Sequence, residues 1–442
     1  MRALAAAAVL LAACLNLARD FPATNPRGLC GNGAHDGQES DVDCGGPCGP
    51  CVAGQSCAAS SDCETEICDA GVCAPTRCDD GLRGSTETDV DCGGECAPCG
   101  LGRRCGSAND CAFARCLGNK CEAQTQSLEN TMVPGRLGRN VALFGSTVAA
   151  LAAPLVTDAP FTAEIVVWTR GASSFAEHAR IPSAAPAALA MIDDALFVGV
   201  PTGTGRVDLF DAPAALANTS TPAIALAPND TTTGFGTALA AARTVLAVAS
   251  FDRVYVFSRA SSGWPQQHSA SVPGILAVAI TTTTLVAAAP GAVRIFTRQG
   301  TTWSEQQTLS VAASCGASVA LLDDDLLVGC AGSALRFLRS GAKWSLAQTF
   351  GAAVGVSAGA QIVALGTGVA MIGDPDAARV WPYYRVNSAE EWLSSPPLEG
   401  PLGSRFGFSI AGTDRLLTVG APTDNPIGGG STRGEVYVFG AP

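Results

Sequence analysis

The chain has 442 residues, of which 15% are charged and 47% hydrophobic, with 50 Gly and 26 Pro. This charge content is well below the ~25% of an average soluble domain, and with so much glycine and proline it argues against a helical bundle or a coiled coil. The formal net charge is −12 and the only lysines are Lys120 and Lys343, so the basic surface that nucleic-acid binding needs is missing. Nineteen cysteines against three histidines disfavour a metal- or histidine-dependent enzyme.

The chain begins with an export signal. Met1 and Arg2 form a short positive segment, and residues 3–13 are an unbroken run of small apolar residues. About eleven apolar residues cannot span ~30 Å of hydrocarbon as a helix, so the run is too short to be a membrane anchor.

The apolar run ends in Leu11-Ala12-Ala13-Cys14, a tetrapeptide that resembles the bacterial lipobox. The resemblance implies a lipoprotein signal peptide over 1–13, lipidation of Cys14, and a lipidated tether over 14–29. Leu15 follows Cys14 where Asp would indicate inner-membrane retention, so by the enterobacterial rule the resemblance points to the outer membrane. An ordinary signal peptide cleaved nearby, with Cys14 incidental, is the alternative.

Two copies of one cysteine-rich module follow, over 30–77 and 78–121. Every cysteine of the second copy lies 48 residues after its counterpart in the first. Eight cysteines per module predict four disulfides each, with the connectivity left open. The first copy contains Cys30, Cys44, Cys48, Cys51, Cys57, Cys63, Cys68 and Cys73, and the second contains Cys78, Cys92, Cys96, Cys99, Cys105, Cys111, Cys116 and Cys121.

Two metal hypotheses apply to these modules. The Cys-x2-Cys spacings Cys48–Cys51 and Cys96–Cys99 suit zinc, but an exported, oxidised chain favours disulfides. Acidic residues alternate in both copies, and in extended chain their carboxylates would share one face, where calcium would relieve their repulsion. The candidate calcium ligands are Glu39, Asp41, Asp43, Glu87, Asp89 and Asp91. A solvated acidic surface is the alternative reading, and no other cofactor is predicted.

The modules resemble the tandem cysteine-rich segments of lipoproteins and secreted proteins from social gliding soil bacteria. That resemblance covers about a fifth of the chain and implies an extracytoplasmic location.

The rest of the chain, 122–442, repeats one phrase seven times. An apolar β run ends in a small residue or proline, and after a turn a second β run follows, as in VLAVAS then RVYVFSR. The first runs end at residues 154, 201, 250, 290, 331, 375 and 422, at intervals of 40–49 residues. This period, with a further strand on each side, predicts an all-β, seven-bladed β-propeller, with eight blades as the alternative. Residues 124–132 occupy the register of an outer strand and are predicted to close the ring by completing the last blade.

The repeats also carry a Phe-Gly pair before the first run. The best copy is Phe406-Gly407 with Gly420-Ala421-Pro422; Phe235-Gly236 is a second, and Cys315-Gly316 stands in the same place in a third unit. This pattern resembles the FG-GAP repeats of integrin-α-type propellers, which implies the same propeller fold. The calcium loop of that family, D-x-D-x-D-G-x-x-D, matches no unit, so no calcium site is predicted in the propeller.

Cys315 and Cys330 lie on adjacent strands of one predicted hairpin. A two-residue turn at Asp323-Asp324 would place Cys330 opposite Ala317, one diagonal step from Cys315. Diagonal Cα distances of about 7–8 Å are just beyond comfortable disulfide reach, so both a disulfide and two buried thiols stay open.

Catalytic signatures are absent from the sequence. His35, His178 and His268 are scattered, and no nucleophile elbow, zincin helix or phosphate loop occurs. We therefore predict a non-enzymatic, monomeric envelope lipoprotein that displays a propeller on the cell surface, or on the periplasmic face, for protein–protein interaction or adhesion. One alternative is glycan binding or hydrolysis at the propeller face, where Trp168, Trp381 and Trp392 are expected to be exposed and to stack on sugar rings. A structural envelope spacer is the second alternative.

Overall fold

The computed structural model describes residues 30–35, 37–74, 78, 83–94, 96, 98–99, 103–111, 116–122, 125–129, 135–154, 163–171, 174–211, 213–216, 221–322, 324–350, 362–365, 369–385, 392–394, 396–413, 416–422 and 434–440. The predicted signal peptide, Cys14 and the tether lie outside these residues. The chain divides into two compact units, Met1–Cys96 and Ala97–Pro442. No helix within the described ranges is long and apolar enough to cross a membrane.

The modules are held together by disulfides. The first module closes Cys30–Cys48, Cys44–Cys51, Cys57–Cys68 and Cys63–Cys73. In the second, Cys78–Cys96, Cys105–Cys116 and Cys111–Cys121 repeat that pattern, and Cys92 and Cys99 are also disulfide-bonded. The prediction of disulfide-rich modules is confirmed. Because structural disulfides persist in oxidising compartments, they indicate an exported protein.

Disulfide-bonded cysteines take the place of an apolar core in these small modules. The buried hydrophobic cluster of the first module consists of cysteines alone. Among the residues of the modules that the structure describes, regular structure is limited to the strand pairs β1 (Cys68–Asp69) with β2 (Val72–Cys73) and β3 (Cys116–Leu117) with β4 (Lys120–Cys121), and to 3-10 turns at Ser60–Asp62 and Ala108–Asp110. So little apolar surface would not stabilise a fold, and each disulfide supplies about 2–4 kcal/mol instead.

The remaining strands form seven antiparallel sheets, which are the blades of a seven-bladed propeller. The predicted fold is therefore confirmed. Within blades 1 to 5 each strand pairs with the next along the chain, from the innermost strand to the outermost. Blade 6 has a fifth strand paired with its third, and blade 7 takes its outermost strand from before blade 1. A 3-10 turn at Pro213–Ala215 lies between the last two strands of blade 2.

The strands of blades 1 to 4 are β6 (Gly135–Phe144), β7 (Thr147–Pro154), β8 (Ala163–Arg170) and β9 (Phe175–Ser183); β10 (Ala188–Ile192), β11 (Ala195–Val200), β12 (Arg206–Asp211) and β13 (Ile224–Leu226); β14 (Ala238–Ala242), β15 (Val245–Ala249), β16 (Arg253–Ser258) and β17 (Gln266–Ser271); and β18 (Ala277–Ile280), β19 (Thr284–Ala289), β20 (Ala292–Gln299) and β21 (Thr302–Ser310).

The strands of blades 5 to 7 are β22 (Cys315–Leu322), β23 (Asp325–Cys330), β24 (Ser333–Ser340) and β25 (Lys343–Phe350); β26 (Ile362–Leu365), β27 (Val369–Asp374), β28 (Arg379–Arg385), β29 (Trp392–Ser394) and β30 (Leu398–Glu399); and β31 (Ser409–Gly412), β32 (Leu416–Ala421), β33 (Glu435–Gly440) and β5 (Thr125–Glu129).

The ring is closed by a strand from the beginning of the propeller. β5 pairs antiparallel with β33, placing Leu128 opposite Val436 and Gln126 opposite Val438. This confirms the predicted role of 124–132. Because the last blade takes its outermost strand from before the first blade, neither end of the propeller can detach without breaking a sheet.

The core lies between the blades. Seven buried clusters each combine residues of two neighbouring blades, so every blade-to-blade interface, including the one between blades 7 and 1, has its own apolar layer. The innermost strands are rich in alanine, as in β14 with the sequence ALAAA. Small side chains suit these strands because the blades converge towards the centre of the ring.

One predicted register is different in the structure. Cys330 pairs directly with Cys315 rather than with Ala317, because a bulge lies between Cys315 and Val319. Gly316 has φ +103°, a conformation that glycine adopts readily. The two cysteines form a disulfide, so of the two readings left open by the sequence the bonded one is correct.

Candidate binding face of the propeller

The two ends of the ring carry different loops. We call the end at which the innermost strands begin the front face, and the opposite end the back face. Because each blade is an antiparallel up-and-down sheet, the front face collects the connections between blades and the turns between second and third strands. Its described segments are 184–187, 201–205, 227–237, 250–252, 272–276, 290–291, 311–314, 331–332, 375–378 and 400–408.

Paired glycines fix the distance between blades at this face. A Cβ on Gly373 in blade 6 would lie 2.1 Å from the carbonyl oxygen of Gly407 in blade 7, and one on Gly199 would lie 2.1 Å from that of Gly236. Gly420 stands in the same relation to the carbonyl oxygen of Gly138, at 2.0 Å. Leu137-Gly138 is therefore a further copy of the Phe-Gly pair, and it was not predicted because leucine replaces the phenylalanine.

The phenylalanine of each Phe-Gly pair is buried and packs against aromatic side chains of the same blade. Phe235 is fully buried and meets Tyr255 and Phe257 edge to face, with ring centroids 5.2 and 5.9 Å apart. Phe406 repeats this contact with Tyr437 and Phe439 at 5.3 and 5.9 Å. These phenylalanines therefore hold the front-face loops in place and are not available to a ligand.

Large apolar side chains are nevertheless exposed on the front face. Phe251 is 58% exposed, Leu276 51% and Leu402 81%. The ring of Phe251 rests on Gly234, where a Cβ would come within 2.6 Å of the ring. On the back face Phe144 is 40% exposed, and Leu346 is exposed on the outermost strand of blade 5.

The described innermost strands carry few charged side chains. Within their described bounds, the seven innermost strands contain no Asp, Glu or His; their charged residues are Arg136 and Arg139, both in β6. His178 lies exposed on the outermost strand of blade 1 and His268 half-buried on that of blade 3, while His35 contacts the carbonyl oxygen of Glu39 in the first module. The described residues bring no two of these histidines together.

The tryptophans of the glycan hypothesis are not exposed. Trp168 is 3% exposed and Trp392 is 1% exposed, and Trp381 is half-buried. The expectation of exposure was wrong because these residues lie on third and outermost strands, whose aromatic side chains pack between neighbouring blades.

The six candidate calcium ligands do not form a shared carboxylate face. Asp43 has φ +58° and Asp91 φ +56°, so each acidic segment is a turn and not an extended strand. The Asp43 carboxylate accepts hydrogen bonds from the backbone N–H groups of residues 31, 32 and 33, and Asp41 accepts them from Val42 and Ser56.

The remaining acidic residues also hold backbone turns. Glu39 and Glu87 are both buried, and each accepts a hydrogen bond from the N–H four residues on, at Asp43 and Asp91. Asp89 accepts one from its neighbour Val90. Calcium binding at the six residues stays a prediction, and these contacts give the carboxylates a structural role.

The zinc hypothesis is not supported by the pairing. Cys48 is bonded to Cys30 and Cys51 to Cys44, so neither member of this Cys-x2-Cys pair is a free thiolate. Cys96 and Cys99 are likewise disulfide-bonded.

Comparison with known proteins supports the fold. No known protein family and no curated protein matches the sequence. The structure of U3-55K aligns with a TM-score of 0.53 at 14% identity, covering 72% of this chain and 98% of that one. A chain of the Mitotic Checkpoint Complex aligns at 0.51 and 15%, covering 72% and 94%. A periplasmic gluconolactonase of Pseudomonas aeruginosa aligns at 0.47 and 10%, covering 60% and 85%. At these identities the likeness extends to the propeller fold alone.

Proposed function

We propose that this chain is a non-enzymatic binding protein of the cell envelope whose propeller takes a protein partner on its front face. The observation that carries the proposal is the exposure of Phe251, Leu276 and Leu402 on one end of a closed, rigid ring. Propeller loops of this kind are suited to recognition because the scaffold holds them in fixed positions.

Phe251 is the best anchor among the three. Its ring is supported by Gly234 on one side, so binding would order few additional rotamers. Aromatic side chains that enter a partner with little entropy loss commonly dominate the binding energy of an interface.

Attachment to the envelope is the second part of the proposal. The disulfide-rich modules support export, and the lipobox-like tetrapeptide ending in Cys14 supports a lipid anchor at the outer membrane. In the chain, the acidic modules follow the proposed anchor and precede the propeller. Mass spectrometry of the mature N-terminus tests this part: a diacylglyceryl-modified Cys14 is expected, and an unmodified N-terminus elsewhere would contradict it.

Site-specific photo-crosslinking in the native cell tests the binding face. A photoreactive phenylalanine analogue at position 251 or 402 is expected to give a discrete protein adduct, and the same analogue at 144 or 346 is not. Phe251→Ser should weaken the adduct formed at 402. An adduct to polysaccharide would favour the glycan alternative, and no adduct at any position would favour the spacer.

A further inference from the structure

We propose that Arg139 and Arg405, gathered around the ring of Phe408, form a binding site for a carboxylate side chain of the protein partner. The site lies on the front face between blades 7 and 1. This inference rests on the proposed function, because it names the chemistry by which that face would recognise its partner.

The fold brings these residues together from opposite ends of the propeller sequence. Arg139 follows Gly138, and Phe408 follows Gly407, so the two side chains occupy equivalent positions on neighbouring blades. The guanidinium carbon of Arg139 lies 5.9 Å from the centroid of the Phe408 ring, and that of Arg405 lies 4.9 Å from the same centroid. Two cationic groups thus converge on one half-buried aromatic ring.

Arg139 is suited to a ligand by its exposure. Its side chain is exposed. Among the described residues it makes one cation–π contact, with Phe408, and no hydrogen bond or ion pair. A guanidinium held by an aromatic face keeps its hydrogen-bond donors directed outwards, where a carboxylate can accept two of them.

Arg405 occupies a backbone conformation that normally favours glycine. Its φ is +56°, and blade 3 has Gly234, with φ +73°, at the equivalent position before Phe235. Side-chain-bearing residues in this region are strained, and such strain concentrates at functional sites. Glycine would satisfy the turn, so the backbone does not explain an arginine here.

An acidic side chain of blade 6 borders the site. Arg405 lies 3.8 Å from Asp376, whose side chain is 69% exposed. A carboxylate of a partner can accept hydrogen bonds from both guanidinium groups. The chain as a whole has a net charge of −12, so non-specific attraction of an acidic peptide is disfavoured and a local site would be needed to bind it.

Fluorescence anisotropy of a dye-labelled hexaglutamate peptide with the full chain tests the proposal. The peptide should bind more tightly than a hexaglutamine control, and affinity should fall with added NaCl. Arg139→Gln and Arg405→Gln should each weaken binding about twofold to fivefold, the range for exposed charge pairs. Arg298→Gln is the matched control, because Arg298 stacks on Trp303 at 5.9 Å, away from the front face, and it should bind as the wild type does.

Equal affinity of the wild type for hexaglutamate and hexaglutamine would overturn the carboxylate site. Unchanged hexaglutamate affinity in both Arg139→Gln and Arg405→Gln would also overturn it, provided that both variants unfold thermally as the wild type does. Phe251→Ser separates this inference from the proposed function. It should leave hexaglutamate binding intact and weaken the cellular crosslink, so either idea can fail while the other stands.

Discussion

The side-chain amide of Gln348 binds both backbone polar groups of Trp392 on the next blade. Nε2 of Gln348 donates to the Trp392 carbonyl oxygen at 2.9 Å, and Oε1 accepts from the Trp392 N–H at 2.9 Å. The Trp392 side chain meanwhile packs into the layer between blades 5 and 6. One glutamine therefore ties the outermost strands of two blades together.

We call this pair of hydrogen bonds, from one side-chain amide to the backbone N–H and C=O of an aromatic residue on the next blade, a clasp. The same clasp recurs around the ring. Gln307 binds Trp344 at 2.9 and 2.8 Å, and Gln126 on the closing strand binds Phe175 at 2.7 Å in both bonds. In blade 3 His268 occupies the equivalent position, because it pairs with Val256 as Gln307 pairs with Ile295 in blade 4. The aromatic residues that begin the outermost strands are thus fixed by their side chains and by their backbone.

Removing one clasp should destabilise the propeller. Gln348→Leu leaves the N–H and C=O of Trp392 without these partners, at a cost of about 1–3 kcal/mol. Urea unfolding followed by tryptophan fluorescence measures the loss. Gln299→Leu, at an exposed strand end, should change stability by less than about 0.5 kcal/mol, and equal effects of the two substitutions would show that the clasp contributes nothing.

His268→Gln should stabilise the protein and reduce its dependence on pH. Nε2 of His268 is buried without a hydrogen-bond partner in the described structure, and burial lowers the pKa of this histidine below its ordinary 6.5. As pH falls below 6.5 the unfolded chain takes up the proton first, so the folded state loses stability until its own pKa is reached. Glutamine removes that loss and can clasp Trp303, adding about 1–2 kcal/mol.

Unfolding midpoints at pH 7.5 and pH 5 measure both effects. His178→Gln is the control, because His178 is exposed on an equivalent outermost strand, and it should leave the midpoint at pH 7.5 unchanged. A His268→Gln variant that retains the pH dependence of the wild type would contradict the assignment to His268.

Gly407→Ala should disrupt the interface between blades 6 and 7. Gly407 has φ +93°, and a Cβ there would lie 2.5 Å from the carbonyl oxygen of Arg379. Gly341 also has a positive φ, +62°, but a Cβ there meets nothing within 4 Å. Gly341→Ala should therefore cost about 1 kcal/mol, the backbone strain alone. Gly407→Ala should cost several times more, and similar melting temperatures would exclude the blade contact as the cause.

At pH values above the ordinary carboxyl pKa of 3.8, Asp62→Asn should increase local opening of the first module. The hydroxyl of Ser40 and the backbone N–H groups of Ala58, Gly46 and Ala59 all donate to the Asp62 carboxylate, and they hold its pKa well below the usual 3.8. A lowered pKa stabilises the fold above pH 3.8, and that stabilisation is lost as pH falls towards the lower, folded-state pKa.

Amide hydrogen exchange at Ala58 and Ala59 is the measurement for this module. At pH 6 exchange in Asp62→Asn should be roughly tenfold faster than in the wild type, and the difference should shrink below pH 3.8. Asp69→Asn, at an exposed position on β1, should exchange like the wild type at both pH values.

The seven blades, the two modules and the strand that closes the ring were predicted correctly from the amino-acid sequence alone. These features depend on patterns that can be recognised in the sequence itself. The patterns are apolar runs at a 40–49-residue period, cysteines repeated at an offset of 48, and a strand-like segment at 124–132 that fits an incomplete last blade. Each is set by which residues are apolar or carry a thiol, and none requires knowledge of distant contacts.

The contacts between groups far apart in the sequence could be established only from the three-dimensional structure. A bulge near Gly316 changed the register and placed Cys330 opposite Cys315, and turns at Asp43 and Asp91 separated carboxylates that an extended strand would have aligned. Closing the ring brought Arg139 onto Phe408 across the junction of blades 7 and 1. Strand registers and the side-chain contacts between distant segments are long-range properties. A single inserted residue reverses which face a side chain occupies, and periodicity alone does not record where such insertions fall.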